Sequence, residues 1–279
     1  MKWNIVADSS CDLKQADVSC QEVSFSTVPF ILHIDEQEFV DDEALDVLGM
    51  MEFMENCPTA SSTACPSPDA WMTEFNKADN SIAITISSNL SGSYGSAVVG
   101  KNLVQTEHPD KNIFVLDSKS TGPETAMCIR KMVQWIKAGH NIAEVVEKSQ
   151  AFLDKTKTVF ALSSFDNLVK SGRMKKITGF IARTFGMWGI GVASEEGTIA
   201  VKGVTRGQVK AIDRIMLDMV ERNFSGEDVT ISHCQNESMA RQLRDAIRKR
   251  WATACVTILK TRGLDSYYAE RGGLIVAYN

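Results

Sequence analysis

The chain lacks the sequence features of a transmembrane helix and of a metal-binding site. No apolar run approaches the ~18–20 residues that a membrane-spanning helix needs, and the apolar N-terminal run is too short for a signal peptide. None of the four histidines has metal-ligand spacing with another histidine or a cysteine, apart from the adjacent pair His233 and Cys234. We therefore expect no transmembrane helix and no metal site.

The cysteines are scattered, without a CxxC pair, and their number is odd at seven. In a chain of 279 residues this pattern is typical of reduced thiols, and it predicts a cytoplasmic protein. A net charge of −5 gives no reason to expect nucleic acid or an acidic membrane surface as a partner.

The most informative stretch is Ile82–Ala97. It opens with an apolar, β-branched run, continues with the polar run SSNLSGS, and then takes on helical periodicity. In an open α/β sheet ligands bind where strands end, and a helix N-terminus favours negative charge. No Lys or Arg lies between Lys77 and Lys101, and the run has no GxGxxG or Walker pattern, so a carboxylate fits better than a polyphosphate or a nucleotide cofactor. The alternative is that Ser91 or Ser93 only caps the helix.

Hydroxyl-bearing turns follow three predicted strands. The turns are Asp8-Ser9-Ser10, Ser87-Ser88 and Asp117-Ser118. If these strands are parallel neighbours, the turns share one edge of the sheet and form a site there. The carboxylate of Asp8 is expected to fix its turn by accepting backbone hydrogen bonds.

A proline-containing segment, Thr59–Pro68, lies outside these turns. Its two prolines predict a stiff loop, and Ser67 is a good N-cap for the next helix, with Pro68 at the first helical position. This capping explains Ser67 but not Thr63, which is either a plain loop hydroxyl or a functional one.

The order of predicted elements indicates an α/β protein. Strands and helices alternate up to residue 156, whereas a hairpin and helices mix after it. We therefore predict an N-terminal domain, residues 1–156, and a C-terminal domain, residues 157–279. In the second domain Thr205 is predicted to cap the helix Thr205–Arg222. The dipole of that helix disfavours the positive charge of Arg206, which makes Arg206 a candidate functional residue.

Five motifs in this order resemble those of the DegV family over essentially the whole chain. They are DSSCD at Asp8–Asp12, TACPSP at Thr63–Pro68, ISSNLSGSYGSA at Ile86–Ala97, DSKSTG at Asp117–Gly122 and LVKSGRM at Leu168–Met174. The resemblance implies two α/β domains. The first has a parallel sheet with flanking helices, the second a mixed sheet with helices, and a ligand tunnel runs between them.

The same resemblance implies that a long-chain fatty acid lies in the tunnel and that Thr63 and Ser91 hold its carboxylate. Ser88, Gly92 and Ser118, from the same turns, complete the predicted fatty-acid-binding set. Members of the family with an assigned role present the fatty acid to a separate kinase subunit. A fatty acid kinase is therefore an implied partner of this chain.

The sequence departs from the family pattern in ways that bear on this partner. Ala64-Cys65 stands where the family usually has Ser-Gln, and Ala269 stands where a histidine of the family is expected. That histidine is associated with the carboxyl end of the pocket and the surface facing the kinase. Arg173 and Arg206 match basic positions on the same face. Fatty-acid binding is thus expected to be retained, and the kinase partnership is left open.

Two other functions remain possible from the sequence. One is a serine-dependent acyl hydrolase using Ser91 or Ser88, and the other is a binder of a different small carboxylate. No GxSxG motif surrounds Ser91 and no histidine follows His233, so a nucleophile–base pair is not evident. We therefore expect a binding protein without catalytic residues of its own.

Overall fold

The computed structural model describes residues 3–57, 61–174 and 186–279 of the chain. The strands are β1 Trp3–Asp8, β2 Val23–Val28, β3 Ile31–Ile34, β4 Gln37–Val40, β5 Ser61–Ala64, β6 Asn80–Thr85, β7 Asn112–Asp117, β8 Lys157–Leu162, β9 Met187–Ala193, β10 Ile199–Arg206, β11 Asp228–His233, β12 Cys255–Lys260 and β13 Leu274–Tyr278. The α-helices are α1 Gln15–Val18, α2 Val47–Asn56, α3 Pro68–Phe75, α4 Ser93–Glu107, α5 Pro123–Lys137, α6 Ile142–Lys155, α7 Asp166–Lys170, α8 Gln208–Glu221, α9 Glu237–Arg250 and α10 Gly263–Ala269.

The first sheet is parallel, with strand order β2-β1-β6-β7. Both of its faces are covered, as the apolar runs of its strands require. Ile82 and Ile84 of β6 belong to the core on the side of α5 and α6, whereas Ala83 belongs to the core on the side of α3 and α4. The N-terminal half is therefore a parallel sheet with flanking helices, as predicted.

The second sheet is mixed, with strand order β10-β9-β8-β13-β11-β12. Successive residues of β8 again point to opposite faces. Val159 and Ala161 pack in the core beneath α8 and α9, and Phe160 and Leu162 pack in a different core on the other face. The C-terminal half is therefore a mixed sheet with helices, as the resemblance implied.

A small antiparallel sheet, in the order β4-β3-β5, comes from the N-terminal half but packs on the second sheet. Leu32 and Ile34 of β3 share a core with Phe160, Leu162 and residues of α10. Sequence reasoning assigned this segment to the first domain without noting that it packs on the second. The boundary between residues 156 and 157 stays a prediction.

Several local expectations are confirmed. Strands β1, β6 and β7 are parallel neighbours, so the three hydroxyl-bearing turns do lie at one sheet edge. Ser67 caps α3 by accepting from the backbone N–H of Ala70 at 3.3 Å, with Pro68 at the start of the helix. Asp8 accepts the backbone N–H of Ile86 at 2.9 Å, so its carboxylate does fix the turns.

Two local expectations are wrong. The TACPSP segment is not all loop, because Ser61–Ala64 pairs with β3 as strand β5 and places Thr63 opposite Leu32. Residues 59 and 60 of the predicted loop lie outside the described residues. Thr205 is not a helix cap, because β10 continues to Arg206 and α8 begins only at Gln208 after Gly207. The extended strand satisfies the backbone of Thr205 by pairing with β9.

Among the helices of the described residues, none combines the length and apolar character that a membrane crossing needs.

Candidate functional site

A cavity lies between the two halves of the chain. Residues of the first half come from the loops after β2, β6 and β7 and from β5, and residues of the second half come from β8, β9, β10, β13, α10 and their connections. Its walls are largely apolar and include Phe30, Ile86, Leu90, Phe160, Leu162 and Ile275. A cavity with apolar walls and a few polar groups is typical of a small-molecule site.

Ser91 lines this cavity from the loop between β6 and α4. The loop is folded back on itself, since the backbone N–H of Ser91 donates to the carbonyl of Ser87 at 3.1 Å. The hydroxyl of Ser91 accepts the backbone N–H of Ser93 at 3.2 Å, which leaves its own proton for another acceptor. The hydroxyl of Ser93 is instead buried and donates to Asp8 at 2.6 Å. Ser91 is therefore the hydroxyl of this run that can donate to a ligand in the cavity.

Thr63 lines the same cavity from β5. Its hydroxyl oxygen lies 2.9 Å from the phenol oxygen of Tyr268 on α10. Thr63, Ser91 and Tyr268 are all half-buried. The structure thus brings the two predicted carboxylate-binding hydroxyls to one cavity.

Arg173 contributes a positive charge to the cavity lining. Its Nε donates to the carbonyl of Leu90 at 3.3 Å, and its Nη1 donates to the carbonyl of Ser171 at 2.8 Å. The first bond joins the second half of the chain to the loop that carries Ser91. A guanidinium placed here favours an anionic ligand.

The other predicted site residues lie outside the lining. Ser88 is exposed and donates to the carboxylate of Asp117 at 2.5 Å. Ser118 is buried and donates to the carbonyl of Ser120 at 3.0 Å. Gly92 is exposed at the N-cap of α4 and lies against Cys65. Arg206 is exposed at the end of β10.

Ala269 lies in the cavity lining at the end of α10. It is buried, and its Cβ would be 2.9 Å from a Cβ built on Gly273. A methyl group therefore stands in the wall where the family resemblance predicted an imidazole. The polar group that α10 offers beside it is the hydroxyl of Tyr268.

A pair of buried carboxyl groups joins the two halves next to the cavity. The Oδ2 atoms of Asp12 and Asp265 are buried without a hydrogen-bond partner among the described residues, and both lie close to Gly122. Burial raises the pKa of Asp12 to about 7. Burial, followed by the charge of Asp12, raises the pKa of Asp265 well above its ordinary value. Both shifts favour the protonated form of these carboxyl groups.

The described residues show no serine–histidine pair at this site. No histidine among them lines the cavity, and neither Ser88 nor Ser91 hydrogen-bonds to one. Over the same part of the chain, no three His, Cys, Asp or Glu side chains come together as metal ligands.

Sequence reasoning missed Tyr268, Lys119 and Asp265 among the polar residues of the lining. The available signal for Tyr268 was the pair Tyr267-Tyr268 directly before Ala269, which holds two of the four tyrosines of the chain.

Comparison with known proteins identifies the family of this chain. The model of the family described as "Uncharacterised protein, DegV family" matches residues 2–264. The chain belongs to the DegV family. A DegV domain-containing protein of Streptococcus pneumoniae is 38% identical over 278 residues, which covers 100% of this chain and 99% of the relative.

Solved DegV structures resemble this one closely. The Fatty Acid Kinase (Fak) B3 protein of Streptococcus pneumoniae, solved with linoleic acid, superposes with a TM-score of 0.97 at 38% identity, covering 100% of this chain and 99% of that one. A DegV family protein of Eubacterium eligens, solved with heptadecanoic acid, superposes with a TM-score of 0.94 at 34% identity, covering 99% of each chain. The two-domain α/β fold of this chain is the DegV fold.

Proposed function

We propose that this DegV protein binds a long-chain fatty acid in the cavity between its two halves. The observation that carries the proposal is the cavity itself, whose walls are largely apolar and whose polar lining residues include Thr63, Ser91 and Arg173. The two relatives solved with linoleic and heptadecanoic acid support the same ligand class.

The free energy gained by burying methylene groups favours a long acyl chain as the ligand. Each buried methylene contributes about 0.8 kcal/mol, so the ~14 methylenes of palmitate contribute on the order of 11 kcal/mol before the cost of immobilising the ligand. Two neutral hydroxyls and one guanidinium suit a single carboxylate. The acyl chain therefore supplies most of the affinity, and Thr63, Ser91 and Arg173 set the orientation. The residues Ser88, Gly92 and Ser118 are then expected to stabilise the conformation of the turns and not to contact the ligand.

The ligand's carboxylate is proposed to face a fatty acid kinase. Thr63, Ser91 and Arg173 are half-buried, so a carboxylate held there stays within reach of a partner protein. Arg206 is exposed and available to such a partner. The relative solved with linoleic acid bears the name Fatty Acid Kinase (Fak) B3 protein, which supports this assignment. The protein is proposed to act in the cytoplasm, since no disulfide joins the cysteines of its described residues.

We propose no catalytic residue in the chain itself. Ser91 has no histidine beside it in the described residues, and Ser88 is exposed and lies outside the cavity lining, so neither serine is placed as an activated nucleophile in the cavity. A small carboxylate would make little use of the largely apolar walls, which argues against the second alternative.

The test is native mass spectrometry of the purified protein, before and after adding palmitate. We expect one bound fatty acid per chain and no displacement by excess butyrate, a small carboxylate. A protein that carries no acyl ligand and acquires none would overturn the proposal. Turnover of p-nitrophenyl palmitate that is lost in Ser91→Ala would favour a hydrolase instead.

A further inference from the structure

Two adjacent tyrosines of α10 meet two hydroxyls of β5. The phenol oxygen of Tyr267 lies 2.6 Å from the hydroxyl of Ser61, and that of Tyr268 lies 2.9 Å from the hydroxyl of Thr63. Residues two apart on a strand share a face, which is why Ser61 and Thr63 both point to α10. The pairing connects chain segments more than 200 residues apart in sequence.

The two tyrosines differ in their burial and in their contact with the cavity. Tyr267 is fully buried and absent from the cavity lining, whereas Tyr268 is half-buried and lines the cavity. Their rings pack edge to face, with centroids 4.8 Å apart and planes at 89°. Tyr267 thus holds the ring of Tyr268 in place, and only the second hydroxyl lies where a ligand binds.

The number of hydroxyl protons determines which group donates in the hydrogen bond between Tyr268 and Thr63. A threonine hydroxyl has one proton, so a Thr63 that donates to a carboxylate can only accept from Tyr268. Tyr268 must then be the donor. A hydroxyl that accepts one hydrogen bond donates a stronger second one, because the bonds polarise each other.

We propose that Tyr268 is a positioning residue for the head group, which donates to Thr63 and thereby directs the proton of Thr63 to the carboxylate of the ligand. This inference rests on the proposed fatty-acid binding. Other groups of α10 do not fill the role. Ala269 offers only a methyl group, and the Oδ1 atom of Asp265 is engaged by the hydroxyl of Thr121 at 2.8 Å. The Oδ2 atom of Asp265 is buried and lies near the carboxyl group of Asp12.

The test compares Tyr268→Phe with Tyr267→Phe, which removes the same atom from the neighbouring ring. Affinities are measured calorimetrically for palmitate and for methyl palmitate, which has the same chain and no carboxylate. We expect Tyr268→Phe to weaken palmitate binding about fivefold and to leave methyl palmitate binding unchanged. Tyr267→Phe should lower the melting temperature without changing the ratio of the two affinities.

A second measurement asks whether Tyr268 acts through Thr63. In a Thr63→Val background, Tyr268→Phe should cause no further loss of palmitate affinity, because the group that it orients is gone. An undiminished fivefold loss in that background would overturn the inference, as would equal effects of the two tyrosine variants on the affinity ratio. If the unmutated protein bound no palmitate, the proposed function itself would fail, and the two failures are thus distinguishable.

Discussion

The hydroxyl of Ser87 donates to the carbonyl oxygen of Gly197 at 2.7 Å and so joins the loop after β6 to the hairpin between β9 and β10. The side-chain amide of Asn89 strengthens this junction by donating to the carbonyl of Glu196 at 2.6 Å. Gly197 and Lys119 also line the cavity, on opposite halves of the chain. The hairpin therefore closes one wall of the cavity, and its fit depends on a residue without a side chain.

We predict that Gly197→Ala opens this wall. Gly197 has a φ of +78°, and an added Cβ would lie 2.8 Å from the Cα of Lys119 and in contact with the hydroxyl of Ser87. Backbone strain and this overlap should together cost about 2–3 kcal/mol of stability and speed the release of bound palmitate. Thermal unfolding and stopped-flow displacement measure the two effects.

Gly139→Ala is the matched control for this substitution. Gly139 has a φ of +87°, but an added Cβ would meet nothing within 4 Å. It should lose about 1 kcal/mol of stability and release palmitate at the unmutated rate. Equal release rates in the two variants would show that the hairpin does not close the cavity.

Ser91 and Ser93 are predicted to have separate roles. Ser91→Ala should weaken palmitate binding about tenfold with little change in melting temperature, because a ligand-facing donor is lost. Ser93→Ala should cost about 1–3 kcal/mol of stability, because it removes a buried donor to Asp8, and it should affect binding less. Calorimetric titration and thermal melts of both variants decide the point. Equal losses of affinity would mean that Ser91 is not the hydroxyl that binds the head group.

The charge of Arg173 is predicted to favour anionic ligands. Arg173→Met should weaken palmitate binding about tenfold at low salt, and the loss should shrink at 1 M salt, where charges are screened over ~3 Å. Lys170→Met removes a charge from an exposed residue nearby that does not line the cavity, and it should leave affinity unchanged. Titrations of both variants at two salt concentrations test this. A loss of affinity that is independent of salt would point to altered packing instead.

The carboxyl pair of Asp12 and Asp265 predicts a stability that falls as pH rises. Folding raises the pKa of Asp12 to about 7, mainly through burial, so the folded state binds a proton that the unfolded state has already lost. The stabilising contribution is therefore present below the ordinary aspartate pKa of about 4 and is lost as pH rises towards 7. The buried Asp41 carboxyl and the Arg262 guanidinium face the same pair.

Asp265→Asn should remove part of this pH dependence, because an amide does not ionise and can donate to Asp12 at every pH. We expect the variant to gain about 1–3 kcal/mol over the unmutated protein at pH 8 and much less at pH 5, measured by urea unfolding. Burial also raises the pKa of Glu124 to about 7, so some dependence of stability on pH should remain in both proteins. A stability difference that does not change with pH would contradict the raised pKa values of this pair.

Local signals in the sequence predicted much of the fold. Three predictions are confirmed because they depend on neighbours along the chain or on strand periodicity. They are the Ser67–Pro68 cap, the turn fixed by Asp8 and the apolar strands of the first sheet. Strand β5 was missed because its four residues, SSTA, are small and polar and become a strand only by pairing with β3. Thr205 was misread because pairing with β9 extends β10 past it.

The candidate site was only half predictable for a similar reason. Thr63 and Ser91 belong to motifs that a resemblance can identify. Tyr268 becomes a candidate only through its contact with Thr63, 205 residues away in sequence, and the Asp12–Asp265 pair likewise exists only in the folded chain. Contacts between distant segments leave no periodic signal, so the structure was needed to find them.

The most direct test of the account is a crystal structure of the protein saturated with palmitate. It should show the acyl chain between the two sheets, with its carboxylate within about 3 Å of the hydroxyls of Thr63 and Ser91. A palmitate bound with its carboxylate away from these two hydroxyls, or bound outside the cavity, would contradict the account.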